Sequence, residues 1–228
     1  MNGILLVDKP EGWTSHDIVA KLRNKLGIKK IGHAGTLDPL ATGLLILLIG
    51  NATKISQYVT NQDKRYVGEM FLGKVTDSYD EEGDVIETHE VNVTEDEIRK
   101  VAATFLGDQM QLPPMYSAKK INGKPLYELA RQGKEIEREP RPVKIYEFEI
   151  SAIDLPRVRF EVACSKGTYV RTLAHDMGQK LGCGAYLSNL RRTHTGNFSI
   201  EQALPMEKLL ELDRDAIEDR LLPITDIL

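Results

Sequence analysis

A segment rich in glycine, proline and threonine, residues 32–43 (GHAGTLDPLATG), carries one histidine and one aspartate just before an apolar run. Packing alone does not explain its three glycines, because each loses backbone entropy on ordering. They would let the backbone approach a ligand closely. Asp38 precedes Pro39 and is therefore held out of the α region, which gives its carboxylate a fixed direction. The segment is not a phosphate loop, because Gly-x-x-x-x-Gly-Lys is absent.

Two interpretations of each polar side chain in this segment stay open on the residue types alone. Asp38 is either a carboxylate aimed at a ligand or the first residue of an Asx turn. His33 is either a ligand-contacting imidazole or a structural one that is held by hydrogen bonds. The charge of the rest of the chain and its predicted secondary structure therefore bear on which interpretation holds.

The distribution of charge along the chain bears on whether the protein binds a polyanion. The formal net charge of −4 argues at first against a nucleic-acid ligand. Residues 75–98, however, contain ten acidic and no basic residues, and residues 201–228 contain eight acidic and three basic ones. The other 176 residues carry 27 basic and 16 acidic side chains, a net charge of +11. Basic clusters at 21–30 and 119–144 are either solvated faces or a surface for a polyanion.

The cysteines and apolar stretches indicate the compartment. Cys164 and Cys183 show no metal or redox spacing, which favours buried thiols in a reducing environment. The longest apolar stretch, residues 44–49, is far shorter than the ~20 residues that span a bilayer, and it predicts a buried strand. Residues 1–10 lack the basic region of a secretory signal. We expect a cytoplasmic protein without a membrane segment.

The elements that must position residues 32–43 follow from hydrophobic periodicity and turn signals. Apolar stretches alternate with helical patterns, and several strands alternate polar and apolar residues. This favours an α+β domain with a mixed, mostly antiparallel sheet flanked by helices. The predicted strands are 3–8, 44–49, 65–72, 143–151, 157–164 and 185–192. The first predicted helix starts at Thr14 or Ser15 and ends at Gly27, and the second covers 52–61. Further helices are predicted from the capping box at Thr94 to Gly107, from Pro125 to Gly133, from Gly167-Thr168 to Gly182, and in an acidic tail at 201–228. Residues 32–43 are expected to be irregular, and Asn122-Gly123 to form a turn.

Several motifs, in order along nearly the whole chain, together resemble one family. They are DKPEGWTSHD at 8–17, GHAGTLDPLATG at 32–43, DKRY at 63–66, PMYSA at 114–118, LYELAR at 126–131, CSKGTYVRT at 164–172 and LGCGA at 181–185. The sequence closely resembles the catalytic domain of the bacterial tRNA pseudouridine synthase B (TruB) family, which modifies uridine 55 in the T loop of tRNA.

The resemblance implies a fold, a partner and a reaction. The fold is the pseudouridine synthase fold, with an active-site cleft, and the polyanion is tRNA, bound through its T arm. The family breaks the N-glycosidic bond of a uridine, turns the freed uracil and rejoins it through C5, without a cofactor or metal. Three first steps stay open: attack of the carboxylate on C6, attack on C1′, and elimination to a glycal.

The resemblance also assigns roles to residues. Asp38 aligns with the catalytic nucleophile, and Arg171 with the arginine that pairs with it; without the alignment Arg171 would be an ordinary surface ion pair. Tyr66 aligns with the tyrosine that stacks on the uracil and assists proton transfer at C5. His33 looks like the histidine that occupies the space of the extruded nucleotides. A loop-stabilising histidine is its alternative.

Further residues match positions with supporting roles. Lys9, Tyr169 and Leu190 match residues that line or support the pocket, and Gly35 would let the substrate approach; Lys9 could equally be a surface charge. The lysines of the two basic clusters become hypothetical phosphate contacts, namely Lys25, Lys29, Lys30 and Lys119. Residues 75–98 and 201–228 are expected to face away from the tRNA, because their carboxylates would repel phosphates.

The sequence departs from the family at its C-terminal end. Members usually continue into a small RNA-binding PUA domain, whereas residues 1–228 read as one catalytic domain whose acidic tail, 201–228, lies at that junction. Ala34 stands where threonine is frequent. We expect a monomer. The rival hypothesis is a tRNA-binding protein that refolds tRNA without chemistry; a retaining glycosidase would need a second carboxylate beside Asp38, and the motifs supply none.

Overall fold

The computed structural model describes residues 1–115, 120–121, 124–125 and 137–227. The chain forms two compact units, one of Met1–Val67 together with Leu190–Leu228 and one of Gly68–Asn189. The first unit is therefore built from both ends of the chain. Residues 32–43 belong to this first unit.

The described residues form strands and helices that alternate along the chain. The strands are β1 Gly3–Lys9, β2 Ile31–Ala34, β3 Thr42–Ile49, β4 Lys64–Leu72, β5 Lys74–Thr76, β6 Val85–Thr88, β7 Gly107–Gln111, β8 Lys120–Ile121, β9 Lys124–Pro125, β10 Arg141–Asp154, β11 Arg157–Cys164, β12 Ala185–Thr195, β13 Phe198–Ser199 and β14 Leu204–Pro205. The helices are α1 Ser15–Leu26, α2 Ser56–Thr60, α3 Glu95–Ala103, α4 Val170–Leu181, α5 Met206–Glu211 and α6 Arg214–Glu218, with 3-10 turns at Gly50–Ile55, Ile200–Gln202 and Ile224–Ile227.

The sheet of the first unit is organised around β3. This strand pairs antiparallel with β1 and β2 and parallel with β12, and β1 pairs parallel with β14 on its other edge. Residues 44–49 are all fully buried, as the apolar run predicts for a strand that is covered on both faces. One face of β1 and β3 forms a core with Val59 and Phe198.

Helix α1 begins and ends where the sequence predicts. The Thr14 hydroxyl accepts from the Asp17 amide at 3.0 Å, and the Asp17 carboxylate accepts from the Thr14 amide at 2.8 Å. This capping box satisfies amides that the first helical turn leaves without intrahelical partners. Gly27 ends the helix in the left-handed conformation, at φ 66°.

The second unit packs helices on an antiparallel sheet. Strand β10 pairs antiparallel with β11 on one side and β7 on the other. Phe148 of β10 contacts Phe105 and Phe160 edge to face, at centroid distances of 6.1 and 5.5 Å. Gly178 lets α4 lie against the start of β12, because a Cβ there would come within 2.1 Å of the Ala185 amide. Together, the described residues form an α+β fold with a mixed, mostly antiparallel arrangement of strands.

Several sequence predictions of secondary structure were wrong in their limits. The helix expected at 52–61 is a 3-10 turn over Gly50–Ile55 followed by α2, Ser56–Thr60. Residues 32–34, expected to be irregular, lie in β2, and β3 already begins at Thr42. Helix α3 ends at Ala103, and Gly107 begins strand β7 instead of ending the helix. At β2 and β7 the pairing with another strand, with β3 and with β10 respectively, overrides the local glycine signal.

The Asn122-Gly123 turn lies outside the described residues, but the strands beside it, β8 and β9, pair antiparallel as a hairpin requires. Pro125 belongs to β9; the residues of the helix predicted after it, 126–133, lie outside the described residues. The acidic tail is helical in part, and it also contributes β14. Its Leu222 exchanges two backbone hydrogen bonds of 2.9 Å with Ile4.

Candidate functional site

The loop that carries Asp38 connects β2 to β3 in the first unit. Leu37 and Leu40 on either side of the Asp38-Pro39 pair are buried, at 3% and 6% exposure. The Ala41 amide donates to the Asp38 carbonyl at 3.0 Å and closes a tight turn. Asp38 itself is half-buried. The two leucines thus anchor a turn that keeps the aspartate at the protein surface.

Lys9 supports this loop from the end of β1. It is fully buried, so the interpretation of Lys9 as a plain surface charge was wrong. Its ammonium donates to the carbonyls of Pro10 at 2.8 Å, Trp13 at 2.5 Å and Pro39 at 3.2 Å. A buried ammonium is tolerated where such acceptors replace water. Lys9 therefore ties the turn after β1 to the residue that follows Asp38.

Ser15, in the first turn of α1, holds the other side of the loop. Its hydroxyl accepts from the Leu37 amide at 2.9 Å and donates to the Leu37 carbonyl at 3.2 Å. Both groups of the residue before Asp38 are thus satisfied by one buried side chain. The motif at 8–17, which carries Lys9 and Ser15, and the motif at 32–43 are therefore parts of one structure.

Arg192 of β12 reaches the same loop and was missed by sequence reasoning. It is 1% exposed. Its Nε donates to the Leu44 carbonyl at 2.8 Å and its Nη2 to the Gly35 carbonyl at 3.0 Å. The sequence offers little signal for this role, because Arg192 follows another arginine 157 residues after Gly35.

Two glycines of the loop make room for Arg192. A Cβ on Gly35 would lie 3.4 Å from its guanidinium, and a Cβ on Gly43 would lie 2.3 Å from its carbonyl oxygen. Both glycines have a positive φ, 88° and 98°, which other residues rarely adopt. The close approach that the glycines allow in this structure is to Arg192. The predicted substrate contact of Gly35 stays a prediction.

His33 lies in β2 and is half-buried. Its Nδ1 is buried without a hydrogen-bond partner among the described residues, so these residues supply no hydrogen bond there for the structural alternative. Burial lowers the pKa of His33 below its usual 6.5, and the charges of Arg192 and His16 lower it further. The imidazole is therefore neutral at pH 7.

Tyr66 and Leu190 complete the set of predicted residues in the first unit. Tyr66 lies on the buried side of β4 and is 9% exposed. It is more buried than the half-buried strand residue that the pattern alone predicts. Leu190, in β12, is also buried, and its carbonyl accepts from the Thr42 hydroxyl at 3.4 Å.

Arg171 lies in the first turn of α4, in the second unit. Its Nη1 is 3.3 Å from the Asp80 carboxylate, and both side chains are buried. The interpretation as an ordinary surface ion pair is therefore wrong. Asp80 in turn accepts from the Ser78 hydroxyl at 2.5 Å and from the Glu82 amide at 3.2 Å. The predicted pairing of Arg171 with Asp38 stays a prediction.

The turn that presents Asp80 is itself held in place. Tyr79 has a positive φ of 67°, its ring stacks on His175 of α4 at 3.8 Å, and its carbonyl accepts from the Leu187 amide at 3.0 Å. Sequence reasoning missed Asp80 because it counted as one of ten carboxylates in an acidic segment. Its burial separates it from the exposed carboxylates around it.

Tyr169 is the N-cap residue of α4. The Gln111 side chain holds its backbone on both sides, accepting from the Tyr169 amide at 2.8 Å and donating to its carbonyl at 3.0 Å. The guanidinium of Arg171 lies 6.0 Å from the centre of the Tyr169 ring. The start of α4 is thus fixed by a buried amide side chain that the sequence did not single out.

The predicted phosphate contacts differ in their surroundings. Lys25, Lys29 and Lys30 are exposed, as a contact to phosphate requires. The Lys25 ammonium, however, donates to the carbonyl of Leu210 at 2.8 Å, inside the acidic segment that is expected to face away from tRNA. Lys119 lies outside the described residues. A phosphate contact by Lys25 therefore conflicts with the prediction that residues 201–228 face away from tRNA, whereas contacts by Lys29 and Lys30 are compatible with it.

The described part of the chain holds no group of three or more His, Cys, Asp or Glu side chains that could bind a metal ion. None of its helices has the length and apolar character needed to cross a membrane.

Comparison with known proteins identifies the family. The profile of the TruB family pseudouridylate synthase N-terminal domain matches residues 23–170, and that of the tRNA pseudouridylate synthase B C-terminal domain matches residues 171–228. The α+β scaffold is thus that of the pseudouridylate synthases, a class of isomerases. The chain belongs to the TruB family of pseudouridylate synthases.

Relatives resemble the chain over nearly its whole length. The tRNA pseudouridine synthase B of Opitutus terrae is 57% identical over 98% of this chain and 93% of its own length. That of Clostridium novyi is 50% identical over 100% of this chain and 78% of its own. In a solved Cbf5-Nop10-Gar1 complex, one chain is 31% identical with a TM-score of 0.77, and the match covers 99% of this chain but 61% of that one.

Proposed function

We propose that this chain converts uridine 55 in the T loop of tRNA to pseudouridine. The observation that carries the proposal is its identity of 45–57% to proteins named tRNA pseudouridine synthase B, at nearly full length. The loop of Asp38 adds support, because three buried side chains fix it. The RNA substrate is that of the family; its T arm as the binding element, and a monomeric enzyme, are parts of the proposal.

Asp38 is the proposed nucleophile. The catalytic carboxylate must be ionised, whereas a bound base that excludes water disfavours the charged form. A fixed cation offsets this effect, and on the resemblance we assign that part to Arg171, because a guanidinium keeps its proton and presents a rigid fork of donors. Asp80 would hold the guanidinium in place.

The bonds that change are those of the uridine. The C1′–N1 bond breaks, the uracil turns, the C1′–C5 bond forms, C5 loses its proton and N1 gains one. Attack at C6, attack at C1′ and elimination to a glycal all require an ionised Asp38. Tyr66 would stack on the freed uracil and assist the proton transfer at C5.

The target uridine must leave the folded T loop before it can react, because an enzyme cannot act on a base within a stack. His33 is the proposed occupant of the space that the extruded nucleotides leave. An uncharged imidazole suits this role, since it can lie against bases without the desolvation of a charge. Lys9, Tyr169, Leu190 and Gly35 are proposed to support or line the pocket.

The experiment maps pseudouridine in an unmodified tRNA transcript after incubation with the native chain or with Asp38→Asn. We expect modification at position 55 with the native chain and none with the variant, while both bind the tRNA. A T-arm stem-loop tests the proposed binding element, and cytidine at position 55 is the matched negative substrate. Modification by Asp38→Asn, or none by the native chain despite tRNA binding, would overturn the proposal.

The rival, a tRNA-binding protein without chemistry, predicts a different result. It would bind and refold tRNA equally well as native chain and as Asp38→Asn, with no pseudouridine in either sample. The same assay therefore separates the two functions. Light scattering of the native chain tests the proposed monomer.

A further inference from the structure

We propose that Arg192 is a positioning residue that clamps the two ends of the Asp38 loop and so sets the place of the nucleophile. The inference rests on the proposed function, because it concerns the geometry from which Asp38 reacts. Arg192 acts through the backbone of the loop and not on the reacting atoms themselves.

The hydrogen bonds of Arg192 span the loop. One guanidinium nitrogen donates to the carbonyl of Gly35, where the loop leaves β2, and Nε donates to the carbonyl of Leu44, where the chain has entered β3. Because the guanidinium is planar, it fixes the two carbonyls relative to each other as well as to itself. Asp38 lies between the two bridged positions.

The burial of Arg192 argues against a purely packing role. Removal of a guanidinium from water is costly, and apolar side chains of similar volume often replace buried charges without loss of stability. Charged donors to backbone carbonyls form stronger hydrogen bonds than neutral donors. A buried arginine bonded to two loop carbonyls therefore secures a conformation of the loop that an apolar side chain would leave free.

The glycines of the loop match the clamp. Gly35 and Gly43 both have positive φ values, and the empty Cβ position of Gly43 lets β3 lie against the backbone of Arg192. Gly43 also pairs with Arg192 between β3 and β12. The neighbouring Arg191, by contrast, is partly exposed and pairs with Asp8 at 2.7 Å. Arg191, which is adjacent in sequence but differs in burial and partners, is therefore a matched control.

The test compares Arg192→Lys with Arg191→Lys, both of which keep the charge. Lysine cannot bridge two carbonyls with a planar fork, so we expect faster hydrogen exchange of the Leu37 and Ala41 amides in Arg192→Lys alone. The single-turnover rate of pseudouridine formation should fall by about 100-fold, the order that a displacement of about 1 Å causes. The tRNA affinity of the folded variant should change little, and its melting temperature should fall by only a few degrees, about what the loss of one hydrogen bond implies.

Gly35→Ala disturbs the same hydrogen bond at the loop residue that accepts it. This variant is used if Arg192→Lys does not fold. It places a methyl group against the guanidinium at a positive φ, so the same loop amides should exchange faster and the rate should fall. Equal exchange in Arg192→Lys and Arg191→Lys would overturn the inference. So would faster exchange with an unchanged rate, or failure of both loop variants to fold, which would make Arg192 a support of the whole unit.

The two proposals fail in different ways. A native chain that makes no pseudouridine overturns the proposed function, and the exchange of the loop amides still decides whether Arg192 clamps the loop. A native chain that is active, with Arg192→Lys equally active, overturns the positioning role alone.

Discussion

The buried cations Lys9, Arg171 and Arg192 differ in their partners. Lys9 and Arg192 donate to backbone carbonyls, whereas Arg171 pairs with a carboxylate. A hydrogen bond from a charged donor contributes about 1.5–3 kcal/mol, roughly twice a neutral one. These cations thus hold backbone and side chains in place, a use of charge that the net charge of the chain does not reveal.

At the residue scale, the pair of Arg171 and Asp80 should matter for stability. Asp80→Asn removes the carboxylate that Arg171 contacts at 3.3 Å, and the loss of one partner of a buried pair destabilises a protein by about 3–5 kcal/mol. We expect a loss of this order in the free energy of unfolding, measured by urea denaturation. Pseudouridine formation should fall as well, because Arg171 is less well held.

Asp84→Asn is the control for Asp80→Asn. Asp84 is an exposed carboxylate in the same acidic segment, so its neutralisation should change the free energy of unfolding by less than about 0.5 kcal/mol. An equal loss in both variants would attribute the effect to the charge of the segment and contradict a specific role of the buried pair.

The sequence singled out some residues of the candidate site and not others. Asp38 stands in a segment of unusual residue types, whereas Lys9 was named only through the family resemblance. Arg192 and Asp80 look like ordinary members of an arginine pair and an acidic run. Their importance comes from burial and from partners 157 and 91 residues away in sequence. No local pattern records such a contact.

At the element scale, helix α4 carries a carboxylate whose pKa is raised. Burial raises the pKa of Asp176 from 3.8 to about 6, against the attraction of Lys180 one turn away. The folded state thus favours the protonated form. The stability that this group contributes is fully present below pH 3.8 and is lost as the pH rises through about 6.

Replacement of Asp176 by asparagine should therefore stabilise the protein at neutral pH. The gain should be about 1–2 kcal/mol, less than the full ~1.4 kcal/mol per pKa unit, because the side chain is partly exposed. At about pH 4 the difference from the native chain should nearly vanish. Urea denaturation at several pH values measures it; Asp154→Asn, an exposed carboxylate on β10, is the control. A gain that does not depend on pH would contradict this explanation.

The elements themselves were predictable where their signals are local. The alternation of β11, the apolar run of β3 and the capping boxes of α1 and α3 all lie within a few residues. Strands β2, β7 and β14 were not predicted, because each is short and takes its conformation from pairing with another strand. The glycines of residues 32–43 suggested an irregular segment where pairing with β3 prevails.

At the scale of the whole molecule, the basic residues near the end of α1 should attract RNA unequally. Lys29 and Lys30 are exposed, whereas the Lys25 ammonium lies against the acidic segment at Leu210. We expect the double reversal of Lys29 and Lys30 to glutamate to weaken tRNA binding and to lower its salt slope by about 2. Lys25→Glu should have a smaller effect.

Binding measurements over a range of salt concentrations test this prediction. Lys100→Glu reverses an equally exposed lysine, on a helix that begins with three acidic residues, and serves as the control. An unchanged affinity and salt slope in the double variant would remove Lys29 and Lys30 from the RNA-binding surface.

The position of Arg192 also bears on how the protein is made. Its partner Gly35 is synthesised 157 residues earlier, and β14, which flanks β1, follows later still. A ribosome adds about 5–20 residues per second, so the loop of Asp38 waits roughly ten seconds or more for its clamp. Until then the loop lacks the hydrogen bonds of Arg192 and keeps those of Lys9 and Ser15. A nascent chain that has not yet reached β12 should therefore be inactive on tRNA, which delays the chemistry until that strand has been made.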